Sequence, residues 1–317
     1  MTSRRACRHR LRHPALKGML MNALTEKNEY GLRDLHQVLL EALVDIDKVC
    51  RDHGIRYTLY CGTLLGAVRH DGFIPWDDDA DLAMPLSDFR RFFEIAQKEL
   101  EDKYVVQTFR NNRSYPHLWM KVFRKGTTYM WRDLAGVDID HGVAVDIYPF
   151  VGISKRYKLQ YYGLMAAHAL QFVDVWRATD FYSPKRYVTR LGRVISLIPR
   201  PARHMIHRSL IKHFMIDPDL CERACTLDGA PFIPKYDWKD WTELTDHRFE
   251  GYDLPIPVNY DKLLRIMYGD YMKLPPEEAR MGHVDHFGDL IVDTGKDYRE
   301  YQKELSLESR QKGRSKK

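Results

Sequence analysis

Residues 60–84 read YCGTLLGAVRHDGFIPWDDDADLAM, and the part that decides the fold is Trp76-Asp77-Asp78-Asp79-Ala80-Asp81. Four carboxylates fall between Asp77 and Asp81. Like charges this close repel unless a cation or solvent relieves them. From Asp79 to Met84 polar and apolar residues alternate as in a strand, and Pro85 ends the run. Side chains two apart on a strand share a face, so Asp79 and Asp81 are expected to point together, with Ala80 and Leu82 turned into the fold. Asp77 and Asp78, after Pro75, read equally well as a solvated turn. Two carboxylates side by side at a strand start suit Mg²⁺ or Mn²⁺, hard ions that take oxygen ligands and keep waters for phosphates.

Working upstream, Leu35, Val38, Leu39, Ala42, Leu43, Ile46, Val49 and Cys50 recur at helical spacing. Gly54 is a plausible C-terminal cap of that helix. Residues 55–61 alternate as a strand, Gly62-Thr63 break it, and Leu64 to Val68 open a short helix. A glycine at such a junction lets backbone N–H groups approach a phosphate, and the Thr63 hydroxyl is positioned to donate to one. Taken alone, Gly62 and Thr63 are an ordinary turn glycine and helix cap.

Downstream, residues 89–100 read as helix, and 104–109, 118–123, 127–131 and 143–148 as strands. This order describes an α+β fold on a mixed sheet. Asp146 stands in the apolar strand Val143-Ala-Val-Asp-Ile-Tyr148. A carboxylate there is expected to be paired or metal-bound. Placed beside the Asp79 strand, it completes three converging carboxylates able to align a phosphoryl group for in-line displacement.

The segment 60–84 resembles the signature of the LicD family of phosphocholine transferases, a motif that fukutin-related proteins share. Val145-Asp-Ile-Tyr-Pro-Phe150 is similar to that family's Asp-Ile-Phe-Pro stretch, and residues 260–276, YDKLLRIMYGDYMKLPP, resemble its C-terminal motif. The resemblance runs from about Tyr30 to His286, with 157–225 poorly covered. It implies a nucleotidyltransferase-like fold, Gly62 and Thr63 as the turn, and Asp79, Asp81 and Asp146 as metal-holding catalytic carboxylates. It also implies a CDP-alcohol donor, CDP-choline foremost. The phospho-alcohol would pass to a hydroxyl of a cell-surface glycan such as lipopolysaccharide or teichoic acid, or of its lipid-linked precursor, releasing CMP.

CDP-ribitol or CDP-glycerol as donor, or NMP transfer, are the alternatives among enzymes. A non-catalytic nucleotide- or glycan-binding scaffold is the alternative outside them, and the clustered charge at Asp79, Asp81 and Asp146 argues against it. Arg69 and Lys121 are candidate phosphate contacts, each otherwise a surface charge. Trp76, Tyr115, Trp119, Trp131 and Tyr148 are candidate walls for a quaternary ammonium.

Between Asp180 and Asp217 there is no acidic residue, while Lys185, Arg186, Arg190, Arg193, Arg200, Arg203, Arg208 and Lys212 alternate with apolar side chains. Such a segment suits an anionic membrane surface, against the plainer reading of a solvated basic face. No nucleic-acid motif accompanies it. The net charge is only +6, five cysteines are too scattered for a disulfide scaffold, and no apolar run is long enough to span a bilayer. Cys221 and Cys225 read as free thiols rather than a zinc pair. The expected location is cytoplasmic, peripheral at the inner face of the plasma membrane. The expected organisation is a basic arm at 1–24, a catalytic core at 25–156, a basic helical region at 157–225, a C-terminal family region at 226–300 and a polar tail at 301–317.

Overall fold

The computed structural model describes residues 30–178, 186–227, 236–280, 282 and 289–314. The arm at 1–24, Lys185, His283, His286 and the last residues of the tail lie outside the described residues.

The helix read from the first apolar stripe is α1 (Arg33–His53), which buries Leu35, Leu39, Ala42, Leu43, Ile46, Val49 and Cys50. Gly54 ends it at φ 58°, a left-handed conformation in which glycine carries no Cβ penalty. The expected strand at 55–61 shrinks to β1 (Thr58–Leu59), because α2 (Cys61–His70) starts at once. Gly62 and Thr63 therefore lie in the first turn of α2 rather than in a loop before it. The acidic motif leads into β2 (Asp81–Pro85), whose five residues are all buried. Asp79 precedes the strand instead of opening it.

Helix α3 (Leu86–Glu99) follows, then β3 (Tyr104–Gln107), β4 (Met120–Arg124), β5 (Thr128–Trp131) and β6 (Ala144–Gly152). The main sheet has the order β1-β2-β6-β4-β3. It is extended at β6 by β7 (Arg223–Thr226), which pairs with β8 (Tyr236–Asp237). Only β2 and β6 run parallel, so the sheet is mixed and the fold is α+β, a nucleotidyltransferase-like core. Helices α1 and α3 pack side by side against the sheet. Leu43, Ile46 and Phe92 meet Leu59, Leu82, Val122 and Ile147 in one continuous core.

Four helices follow β6: α4 (Tyr157–Gln171), α5 (Val173–Ala178), α6 (Arg186–Ser196) and α7 (Arg200–Phe214). The basic stretch is thus two helices joined at 197–199. Its charge is partly neutralised, since Arg200 and Arg203 both reach Asp174, at 3.3 and 3.6 Å. No helix among the described residues is long and apolar enough to cross a membrane.

The region 226–300 is more regular than expected. It holds a hairpin of β9 (Leu244–Phe249) and β10 (Tyr252–Pro257), helix α8 (Tyr260–Tyr268), and β11 (Leu290–Asp293), which pairs with β5. The hairpin turns on Glu250 and Gly251, at φ 47° and 92°. Two consecutive left-handed residues match the twist of the flanking strands. The turn grips the loop before the acidic motif: Glu250 N–H donates to the Asp71 carbonyl at 2.8 Å, and its carboxylate accepts from Phe73 N–H at 3.1 Å. Helix α9 (Tyr298–Arg314) is the last element of the described residues.

Candidate active site

Parallel pairing of β2 with β6 sets Asp81 directly opposite Asp146, and antiparallel pairing of β4 with β6 sets Lys121 opposite Asp146. Three charged side chains from three adjacent strands therefore share one row of the sheet. Asp81 is 8% exposed, and its Oδ1 has no hydrogen-bond partner among the described residues. Burial, then the charges of Asp79, Asp146 and Asp77, push its carboxyl well above the ordinary range, while Lys121 pulls it back. The convergence expected of Asp79, Asp81 and Asp146 is thus what the backbone delivers.

The cluster is also larger than expected. One carboxylate oxygen each from Asp77, Asp78 and Asp79 lies within 4.8 Å of the others. Asp78 is 1% exposed, so it is no solvated turn. Gly282 packs so closely on its carboxylate that an added Cβ would come within 2.9 Å of it. Asp78 also bonds Tyr129, whose phenol is pushed up by burial and then by Asp78 and Asp79. The Asp77 carboxylate sits against Gly62, where a Cβ would stand 2.4 Å from Oδ2. This absence of a side chain admits a carboxylate to the first turn of α2, where the helix dipole favours negative charge.

Other expected contacts change role. Thr63 is 2% exposed, and its hydroxyl oxygen accepts the Asp81 N–H at 2.8 Å. It positions Asp81 rather than facing a phosphate. Thr63→Val, which keeps the shape and removes the acceptor, should cost about 1–3 kcal/mol by stranding a buried N–H, measured by denaturant unfolding. Lys121, expected at a phosphate, is ion-paired with Asp146 at 2.5 Å. The other Asp146 oxygen accepts from Trp119 Nε1 at 3.1 Å and from the Tyr148 hydroxyl at 3.4 Å. The ion pair and these two bonds hold the Asp146 side chain in place beside Asp81. Tyr115 is fully buried and cannot wall a ligand. Trp131 lies on β5, opposite Leu290 of β11.

Arg69 reaches the site's edge. Its Nη1 donates to the Tyr271 carbonyl at 2.8 Å, and its guanidinium carbon stands 5.9 Å from the Trp76 ring centre. The Arg280 guanidinium stands 5.5 Å from the same ring. Trp76 is thus occupied by two cations and is not an open wall for a third. Burial and then the charge of Arg280 lower the Arg69 pKa, while Asp77 raises it. Two guanidinium groups crowded this way beside carboxylates form an anion-seeking rim.

Arg280 was not read from the sequence, nor was Tyr268. The Tyr268 phenol is pushed up by burial and then by Cys61, Asp81 and Asp77. Both residues come from the C-terminal segment that α8 lays against α2. The family-like motif at 260–276 was the signal that this segment returns to the site.

The residues present fit a hard divalent cation: an orphaned, buried carboxylate oxygen at Asp81, on which Asp79, Asp146 and Asp77 act, belongs to an oxygen-only donor set. Cys225 is buried and Cys221 half-buried, neither in a disulfide, and Cys221 Sγ packs on Gly152.

The LicD/FKTN/FKRP nucleotidyltransferase domain matches residues 54–194. The chain is 28% identical over 267 residues to the lipopolysaccharide cholinephosphotransferase LicD of Haemophilus influenzae, an alignment covering 80% of this chain and 95% of that one. It is 57% identical over 98 residues to the ribitol 5-phosphate transferase FKRP of Homo sapiens, covering 25% of this chain and 20% of that one. The FKRP of Mus musculus is 35% identical over 98 residues, with the same coverage. Residues 54–194, which carry the acidic cluster built across β2 and β6 and the helix N-terminus beside it, thus form a domain of the LicD/FKTN/FKRP nucleotidyltransferase kind.

Proposed function

We propose that the chain transfers a phospho-alcohol group, phosphocholine from CDP-choline first, to a hydroxyl of a cell-surface glycan or its lipid-linked precursor. The acceptor oxygen bonds to the phosphorus that carries the alcohol, the bond from that phosphorus to CMP breaks, and the hydroxyl proton passes to the carboxylate cluster. The observation that carries this reading is the buried, unpartnered Asp81 carboxylate oxygen, on which the charges of Asp79, Asp146 and Asp77 act, beside a rim of Arg69 and Arg280. Relatives named for moving cholinephosphate and ribitol 5-phosphate support it.

Asp77, Asp79 and Asp81 would hold Mg²⁺ or Mn²⁺, with Asp146 completing the charge. The ion would neutralise the diphosphate and the leaving CMP. Lys121 holds Asp146 in place, Thr63 and Gly62 fix Asp81 and Asp77, and the two arginines orient the diphosphate. Positioning and charge stabilisation of this kind carry most of phosphoryl transfer. Helices α6 and α7 would hold the enzyme against an anionic membrane surface, near a lipid-linked acceptor.

A panel of CDP-choline, CDP-ribitol and CDP-glycerol, assayed for CMP release with Mg²⁺ and a glycan acceptor, tests the reading. CDP-choline should be turned over fastest. Preference for CDP-ribitol would move the chain to the activity for which FKRP is named, and CMP release from none would remove the proposal. Arg280→Ala should raise KM for the donor about tenfold or more, as a lost charge-assisted contact does, with melting unchanged.

A further inference from the structure

A cavity of 560 Å³ lies between α3 and α7, lined at its apolar floor by Leu86, Phe89, Phe109 and Ile211. It sits at the opposite end of β2 from Asp81, because α3 begins where β2 ends. Its rim carries Arg90, Arg110, Arg113, Arg208 and Lys212, and no carboxylate lines it. Arg110 is paired with Glu94 at 3.0 Å. Among the described residues no acidic group stands at ion-pair distance from Arg90, Arg113, Arg208 or Lys212. His207, only 2% exposed, lines the same cavity, and its Nε2 has no hydrogen-bond partner among the described residues. A buried polar nitrogen without a partner costs stability that a ligand oxygen would restore. The His204 Nε2 is likewise unpartnered.

A second hollow of 290 Å³ shares Arg113, His204 and Arg208 with the first and is bordered by Pro201 and Met205. Met205 at its border is 69% exposed, and in the preceding stretch Val194 of α6 and Leu197 of the 197–199 joint are 63% and 81% exposed. A cationic hollow with an apolar floor, opening onto exposed aliphatic side chains, matches a phosphate group that carries an apolar chain. Inorganic phosphate would use the charges and leave the floor and the aliphatic surface unused.

We infer that this cavity binds the phosphate headgroup of an anionic membrane lipid, with the lipid's chain lying along the exposed aliphatic side chains of α6 and α7. The inference deepens the membrane part of the reading above and is independent of the transfer chemistry.

The test is calorimetric titration of the full chain with monomeric dihexanoyl phosphatidate and with inorganic phosphate. It is run beside sedimentation with phosphatidylcholine vesicles, with and without phosphatidate. The short-chain lipid should bind at least about tenfold more tightly than phosphate. Arg208→Gln and Lys212→Gln, both at exposed positions, should each weaken it about tenfold. Arg193→Gln, the same charge change on α6 away from the cavity, should not. Equal binding of phosphate and lipid, or equal loss in all three variants, would overturn the inference. Vesicle binding without short-chain binding would also overturn it while leaving the membrane reading standing, and loss of both would remove the two together.

Discussion

Asp81→Asn is expected to lower transfer by about 10³-fold or more while leaving the chain folded and, without metal at neutral pH, more stable than the parent. The side chain is buried, its Oδ1 is unpartnered, and three other carboxylates act on it. Its folded pKa is raised above the ordinary 3.8, so the folded state holds the proton more tightly than the unfolded chain does. The stability linked to that proton is fully present below pH 3.8 and is lost as pH rises through the folded value. Metal-free parent protein should therefore lose melting temperature as pH climbs from the acid range. Asparagine carries no charge to desolvate and should remove that part of the slope. Added Mg²⁺ should raise the parent's melting temperature more at pH 8 than at pH 5, and the variant's little at either. A variant that melts well below the parent at neutral pH would show that the Asp81 charge is compensated within the fold.

Lys121→Gln should have the second large effect, on stability and turnover together. Lys121 and Asp146 are 25% and 13% exposed at the side chain, and they face each other across β4 and β6. Removing one partner of a pair this sheltered leaves a charge without compensation and costs about 3 kcal/mol. The loss should be larger than Asp146's remaining bonds to Trp119 and Tyr148 can offset. The same lysine counters the upward shift of Asp81, so its removal also loads the cluster with uncompensated negative charge. Lys121→Gln combined with Asp146→Asn should melt above Lys121→Gln alone, because the second change removes the stranded carboxylate. Additive losses in that double-mutant cycle would mean the pair does not couple.

Much of this arrangement was legible in local pattern. Helix α1, its Gly54 cap, α3 and the buried strands β2 and β6 follow from apolar spacing alone. The acidic motif is local too, and its charge density announces itself. What stayed hidden depends on register and on distant segments. Nothing local says that Lys121 stands opposite Asp146 rather than facing a ligand, because one residue of slip would turn it to the other face.

Asp78 looks like a solvated turn until Tyr129 and Gly282, from remote parts of the chain, cover it. Tyr268 and Arg280 reach the site from roughly 200 residues beyond Arg69. Their approach depends on α8 packing on α2, for which the family-like motif at 260–276 is a signal but apolar spacing is not. The β9–β10 hairpin had a signal that went unread: Glu250-Gly251 between two six-residue runs is a two-residue turn with a glycine second. It was obscured by a strand whose residues are mostly polar.

Manganese titration of the metal-free full chain, followed by electron paramagnetic resonance, tests the central claim most directly. The account predicts that the parent binds Mn²⁺, that Mg²⁺ displaces it, and that Asp79→Asn with Asp81→Asn abolishes binding with the fold retained. Mn²⁺ held equally well by that folded double variant would contradict it.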